Sequence, residues 1–170
     1  MRVAAVLAAA LATAGVAGPG AARLAVPVVR QAPERCGPAA LVMVMRFYGA
    51  DSATAAEADR AYDPVLRGSL ITDLAAAARR AGFAAEVTEM PEDSLRALVA
   101  RGIPPILLYG RGVGPLTVRH YGVLVGWDPG RGRYAVNDGG PATRTMARAD
   151  LMGRWRAAGS LALVLRRSAP

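Results

Sequence analysis

An α+β fold, with helices first and an antiparallel sheet after them, is what this sequence predicts, and three observations carry the prediction. Segments with apolar residues at helical spacing, closed by glycines, occupy much of residues 37–101. From residue 105 onward the pattern changes to short runs rich in Val, Leu, Ile and Tyr. Two of these runs are joined by Asp128-Pro-Gly130-Arg-Gly132, which has the composition of a hairpin turn. With 170 residues, 53% of them hydrophobic, the chain can bury one core of ordinary domain size. Beyond its first residues it shows no repeat and no low-complexity segment.

The elements follow in order. Residues 25–30 (Ala-Val-Pro-Val-Val-Arg) read as an extended lead-in. A helix is expected over 37–48, with Pro38 suited to the first turn and Gly49 to the stop. A second, short helix is expected over 52–62, capped by Ser52, with Glu57 and Asp59 facing water. A third covers 69–81 and is stopped by Gly82, and a short strand covers 84–89. The fourth helix, 91–101, holds Pro91, Glu92 and Asp93 in its first turn, where negative charge suits the helix dipole. Strands are expected at 105–109, 119–127, 133–137 and 161–166, with a helix over 147–157 between the last two.

The first residues have a different character. Arg2 precedes an uncharged stretch of Ala, Val, Leu, Thr and Gly, and small-x-small patterns follow at Ala12-Thr-Ala14, Gly15-Val-Ala17 and Gly20-Ala-Ala22. This is the layout of a secretory signal peptide, assigned to residues 1–22, with the folded domain over 26–166 and nothing before residue 26 in the fold. The expected location is therefore periplasmic or extracellular. Gly18-Pro19-Gly20 interrupts the apolar run before it reaches a spanning length, which makes an uncleaved anchor, with membrane contact through the leader, the lesser alternative. With no cysteine near the cleavage region, an acylated lipoprotein is excluded.

The formal charge of +8 comes entirely from arginine, since the chain has no lysine. The arginines are scattered, adjacent only at Arg79-Arg80 and Arg166-Arg167, and aromatics make up 5% of the residues, too few to interleave with a basic patch. That is a solvated surface and not a nucleic-acid interface. Gly110-Arg-Gly-Val-Gly114 has glycines at phosphate-loop spacing but lacks the lysine and the following helix, so it reads as a loop rimming a cleft.

The chemistry concentrates on single residues. Cys36 is the only cysteine and His120 the only histidine. Cys36 stands at the mouth of the first helix in Gln31-Ala-Pro-Glu-Arg-Cys36-Gly37-Pro38-Ala-Ala-Leu. Unpaired amides and the dipole at a helix start favour a thiolate, and Arg35 could add to the effect. No internal disulfide can form, and one Cys with one His falls short of a metal site, so neither metal nor cofactor is expected. His120 lies in Val118-Arg-His120-Tyr-Gly-Val-Leu-Val-Gly-Trp127, and Asn137-Asp138 follows the hairpin turn. If Trp127 faces Arg133, then Asp138 faces Gly122 and is a diagonal neighbour of His120 on one face, with Asn137 pointing away. A single bulge would exchange these roles. Thiol, imidazole and carboxylate are the parts of nucleophilic acyl transfer.

Cys36-Gly-Pro-Ala-Ala-Leu with Gln31 five residues before it, followed by His120-Tyr-Gly-Val-Leu-Val-Gly-Trp-Asp and Tyr134-Ala-Val-Asn-Asp138, resembles the bacteriocin-processing, double-glycine cysteine peptidases of the papain-like clan. The resemblance spans roughly residues 26–165. Arg35 stands where exporter peptidases often carry aspartate, which brings the chain nearer to their stand-alone, exported relatives. The resemblance implies a papain-like α+β fold, with N-terminal helices packed on the antiparallel sheet. It also implies Cys36 as nucleophile, His120 as general base and then acid, Asp138 orienting the imidazole, and Gln31 donating to the oxyanion beside the Cys36 amide. The expected substrate is a peptide or flexible protein segment with small residues at the cut. Two alternatives use the same residues: an acyltransferase or non-peptide amidase, and a peptidase-like domain that only binds peptides or proteins.

Overall fold

The computed structural model describes residues 22–167, so the leader assigned to residues 1–22 lies, apart from Ala22, outside the described residues. Five helices pack on a seven-stranded sheet in which every pairing is antiparallel. Strand β1 is Ala22–Arg23, followed by helix α1 (Cys36–Phe47), helix α2 (Ser52–Ala56), a 3-10 turn (Glu57–Ala61) and helix α3 (Ile71–Arg80). Strand β2 (Phe83–Glu89), helix α4 (Glu92–Ala100), β3 (Ile106–Arg111), β4 (Val118–Asp128) and β5 (Arg133–Asn137) come next. The chain closes with β6 (Arg144–Ala147), α5 (Arg148–Arg156) and β7 (Leu161–Arg167). The strand order is β2-β7-β3-β4-β5-β6, with β1 added beside β4. Among the described residues no helix is long and apolar enough to cross a membrane.

Alternation along the central strands divides the core in two. Ile106, Tyr121, Val123 and Leu163 face α1 and α3, where they meet Leu41, Val44, Met45 and Leu74. Leu107, Tyr109, Leu124 and Val136 face the other way, onto Leu95 and Val99 of α4 and Leu151 and Trp155 of α5. A central sheet covered on both faces must be apolar on both. This explains why β4 reads as an unbroken hydrophobic run from Tyr121 to Val125 and not as an alternation.

Four expectations are corrected. Ala22 and Arg23 pair with Trp127 and Gly126, and Leu24 N donates to Val125 O at 2.7 Å, so the fold begins before residue 26. Those residues satisfy the outer edge of β4 beyond the reach of β3, a demand that local sequence does not display. Asp51, not Ser52, caps α2: its carboxylate accepts from Thr54 N at 2.7 Å. Glu57 is partly buried and pairs with Arg60 and Arg80, while Asp59 faces water as expected and pairs there with Arg35. The short edge strand β6 went unforeseen, because among its four residues only Met146 is buried.

The β4–β5 register has a further twist. Asp128, not Trp127, faces Arg133, so the turn is one residue tighter than expected. A bulge between Leu124 and Gly126 then takes up one residue, and Val123 faces Asn137. The two offsets cancel, and the far end of the hairpin recovers the register first drawn for it. Asn137 does point away from the imidazole. Its amide donates to Val26 O at 3.1 Å and its carbonyl accepts from Thr143 Oγ1 at 2.7 Å, which anchors the lead-in segment.

Candidate active site

Cys36 is the first residue of α1, is half-buried and lines a cleft of about 910 Å³. Gln31 and His120 line the same cleft. The loop before Cys36 is held by Glu34, whose carboxylate accepts from Arg67 Nε at 2.7 Å, from Arg67 Nη2 and from Tyr62 Oη at 3.0 Å. Glu34 and Arg67 both take the left-handed conformation, with φ of 64° and 51°. Non-glycine residues there cost about 1–3 kcal/mol each, so the clamp holds the approach to the helix under strain. The bonds from Arg67 and then Tyr62 hold the Glu34 carboxyl below its ordinary range. Arg35 is engaged by other partners: Nη1 lies 3.1 Å from Asp59 Oδ1 and the guanidinium stacks 4.2 Å over Tyr62.

His120 stands on β4 with 4% of its surface exposed. Its Nε2 lies 3.0 Å from the main-chain oxygen of Asp138. A carbonyl can only accept, so Nε2 carries the proton of the neutral ring and Nδ1 is the basic nitrogen. Arg111 Nη1 stands 3.4 Å from the same Nε2. Tyr109, opposite His120 in the β3–β4 ladder, presents its ring edge-on with centroids 5.6 Å apart. Gly122 permits this, because a Cβ there would run into the Tyr109 ring and Val136. Burial first, and Arg111 in addition, push the imidazole below its ordinary range against the opposing Asp138 carbonyl.

Asp138 is 1% exposed, and its carboxylate turns elsewhere: Oδ2 accepts from Arg144 Nη1 at 3.0 Å and Oδ1 from Gly140 N at 3.4 Å. Gln31 N donates to Gly139 O at 3.0 Å, and the Gln31 side chain lies across Gly139, where a Cβ would overlap Oε1. That Oε1 is buried with no hydrogen-bond partner among the described residues. Thus Cys36, His120 and Gln31 share one cleft, and Asp138 reaches His120 through its main chain. Arg111 and Tyr109 were missed. Each sits on β3, on the sheet face that carries His120, a fact visible only once β3 and β4 are in register.

A second depression, of about 380 Å³, lies between β1 and the β4–β5 hairpin against Trp127 and Tyr134, and holds neither nucleophile nor imidazole.

The profile of the Peptidase C39 like family matches residues 23–163. Among curated proteins none matches the chain. Solved structures share its fold at low identity. A Bacillus anthracis protein provisionally described as a C39-like peptidase superposes with a TM-score of 0.70 at 15% identity, covering 88% of this chain and 99% of that one. The peptidase domain of Streptococcus ComA, a bifunctional ABC transporter of a quorum-sensing pathway, gives 0.67 at 21% identity, over 84% and 99%. A double-glycine-motif protease from an AMS/PCAT transporter, solved with its leader peptide, gives 0.66 at 20% identity, over 86% and 95%. The expected papain-like architecture is therefore the one observed.

Proposed function

The chain belongs to the Peptidase C39 like family, and from that premise we propose that it is an exported cysteine peptidase acting through Cys36 and His120. The observation that supports this most is the opening of the lone cysteine, at a helix start, and the lone histidine onto one cleft. In the proposed reaction the Cys36 sulfur, having passed its proton to Nδ1 of His120, attacks the peptide carbonyl carbon and a C–S bond forms. The oxyanion accepts hydrogen bonds from the Cys36 amide and the Gln31 side-chain amide. The C–N bond then breaks as the imidazolium gives its proton to the leaving amine. Water attacks the thioester, its proton goes to His120, and the C–S bond breaks to release the acid. Asp138 is a positioning residue in this scheme: its carbonyl holds Nε2–H, and its carboxylate contributes negative charge that favours the imidazolium.

The substrate in this reading is a peptide or a flexible protein segment, met outside the cytoplasm after the leader has directed export. The decisive experiment is the pH dependence of Cys36 alkylation in the wild-type chain and in His120→Ala. A thiol that reacts well below the ordinary cysteine range of about 8.5, and loses that reactivity in the variant, supports the pair. A thiol indifferent to His120 refutes it.

A further inference from the structure

The charges that line the cleft do not balance. One carboxylate, Glu34, stands there against three guanidiniums, those of Arg67, Arg111 and Arg119. Glu34 is consumed by Arg67. Arg111 and Arg119 form no ion pair among the described residues, and both are exposed. Asp73, close enough to act on Tyr121 from the same region as Arg119, is exposed and pairs with neither. On its other side Arg111 borders a shallow depression with Arg144 and Arg154, but Asp138 and Asp150 already take those two. Arg119 also borders a depression beside Arg154, a cation that Asp150 already takes, so the two uncompensated cations line the cleft without belonging to it alone.

Their placement is informative. Arg111 stands opposite Val118 and Arg119 opposite Gly110, on neighbouring rungs of the β3–β4 ladder. Adjacent rungs project to opposite faces, so the two arginines bracket the end of the sheet where His120 lies. Arg111 Nη1 is 3.4 Å from the imidazole. That contact is with the nitrogen turned to Asp138 and not with the Nδ1 that exchanges protons with the substrate, so Arg111 lines the cleft on the Asp138 side of the histidine. A guanidinium so placed also opposes the imidazolium the reaction needs, and a carboxylate bound to it would relieve that opposition. Arginine offers such a carboxylate a planar, bidentate fork.

We propose that the cleft recognises a carboxylate of its peptide substrate, with Arg111 and Arg119 as the cations that attract it. The carboxylate comes either from an Asp or Glu side chain or from the C-terminus of a short peptide. The inference rests on the peptidase reading of the same cleft.

The test uses the full chain and the single cysteine as reporter. Iodoacetate and iodoacetamide alkylate the same sulfur but differ in a carboxylate, so the ratio of their rates at Cys36 cancels any change in nucleophilicity. The expected result is a ratio that falls at least about fivefold in Arg111→Gln or Arg119→Gln, the scale of one charge removed near a partly solvated site. In the distant Arg131→Gln it stays unchanged. A ratio constant within about twofold across all four proteins overturns the proposal. His120→Ala separates the two readings: loss of the peptidase reading shows as an unchanged absolute rate, loss of this inference as an unchanged ratio. The source of the carboxylate is read from protection of Cys36 against iodoacetamide by millimolar peptide pairs, Asp against Asn and C-terminal acid against amide. Protection by the acidic member of either pair, lost in Arg111→Gln, supports the proposal and identifies the source. Equal protection within both pairs, or none, overturns it.

Discussion

His120 is bound to Asp138 by the peptide and not by the side chain: Nε2 faces the main-chain oxygen at 3.0 Å, while the carboxylate is turned to Arg144. The contact survives any substitution that leaves the backbone in place. Asp138→Asn is expected to lower the Cys36 alkylation rate less than about tenfold, whereas a carboxylate that directly orients the imidazole costs about 10⁴-fold when made an amide. His120→Ala, by contrast, is expected to lose at least about a hundredfold. Alkylation kinetics of the two variants side by side settle the matter.

The pH profile carries its own sign. Burial, and Arg111 beside it, hold the His120 pKa below the ordinary histidine value. The acid limb of the alkylation profile therefore lies below pH about 6.5, and reactivity rises as the imidazole loses its proton. Removing the nearby cation in Arg111→Gln moves that limb upward. Linkage runs the same way: below pH about 6.5 the unfolded chain binds the proton first, so stability declines as pH falls. His120→Gln removes that component of the acid sensitivity, which urea unfolding at pH 5 and pH 7 detects.

Glu92 ties three elements together. It is 8% exposed, and its carboxylate accepts from Arg96 of α4, Tyr134 of β5, and Arg148 and Arg156 of α5. Burial by itself would raise its pKa; the bonds from Arg148, Tyr134 and Arg96 outweigh burial and bring it down to about 2. The folded value is depressed, so the stabilisation is complete above the unfolded value of about 4.3, is lost as pH falls from there toward 2, and amounts to about 3 kcal/mol. Glu92→Gln should lose a similar amount at pH 7 and show a flatter acid limb in thermal unfolding.

Gly139 has φ +80°, and Gln31 occupies the space where its Cβ would be. Gly139→Ala is expected to cost about 1–2 kcal/mol from the left-handed backbone alone and to push the Gln31 amide out of place. Turnover of a peptide substrate should fall by about 10²-fold, the scale of one lost oxyanion donor, while Cys36 alkylation, which forms no oxyanion, changes little. Equal losses in both assays would argue against the oxyanion role of Gln31.

Much of the architecture was legible in the chain. Helix 37–48 appears as Cys36–Phe47 and strand 133–137 as Arg133–Asn137, because both are written in local spacing closed by turn residues. The hairpin shows the limit of that reading. Its site end was placed correctly from a turn drawn one residue too wide, since a bulge near Val125 absorbs the difference. A bulge leaves no mark in composition, and β4, apolar on both faces, offers no alternation from which to detect one.

The sequence by itself determined the fold class and the small set of reactive residues, because periodicity, stop signals and the uniqueness of Cys36 and His120 are properties of the chain alone. The tertiary structure decided how those residues meet. That the main chain of Asp138 and not its carboxylate holds the imidazole, that Arg35 turns to Asp59, and that Arg111 stands at His120, all follow from pairings between separate elements of the fold. Such pairings depend on strand register and side-chain competition for charge, which are settled only when the sheet closes and the core excludes water.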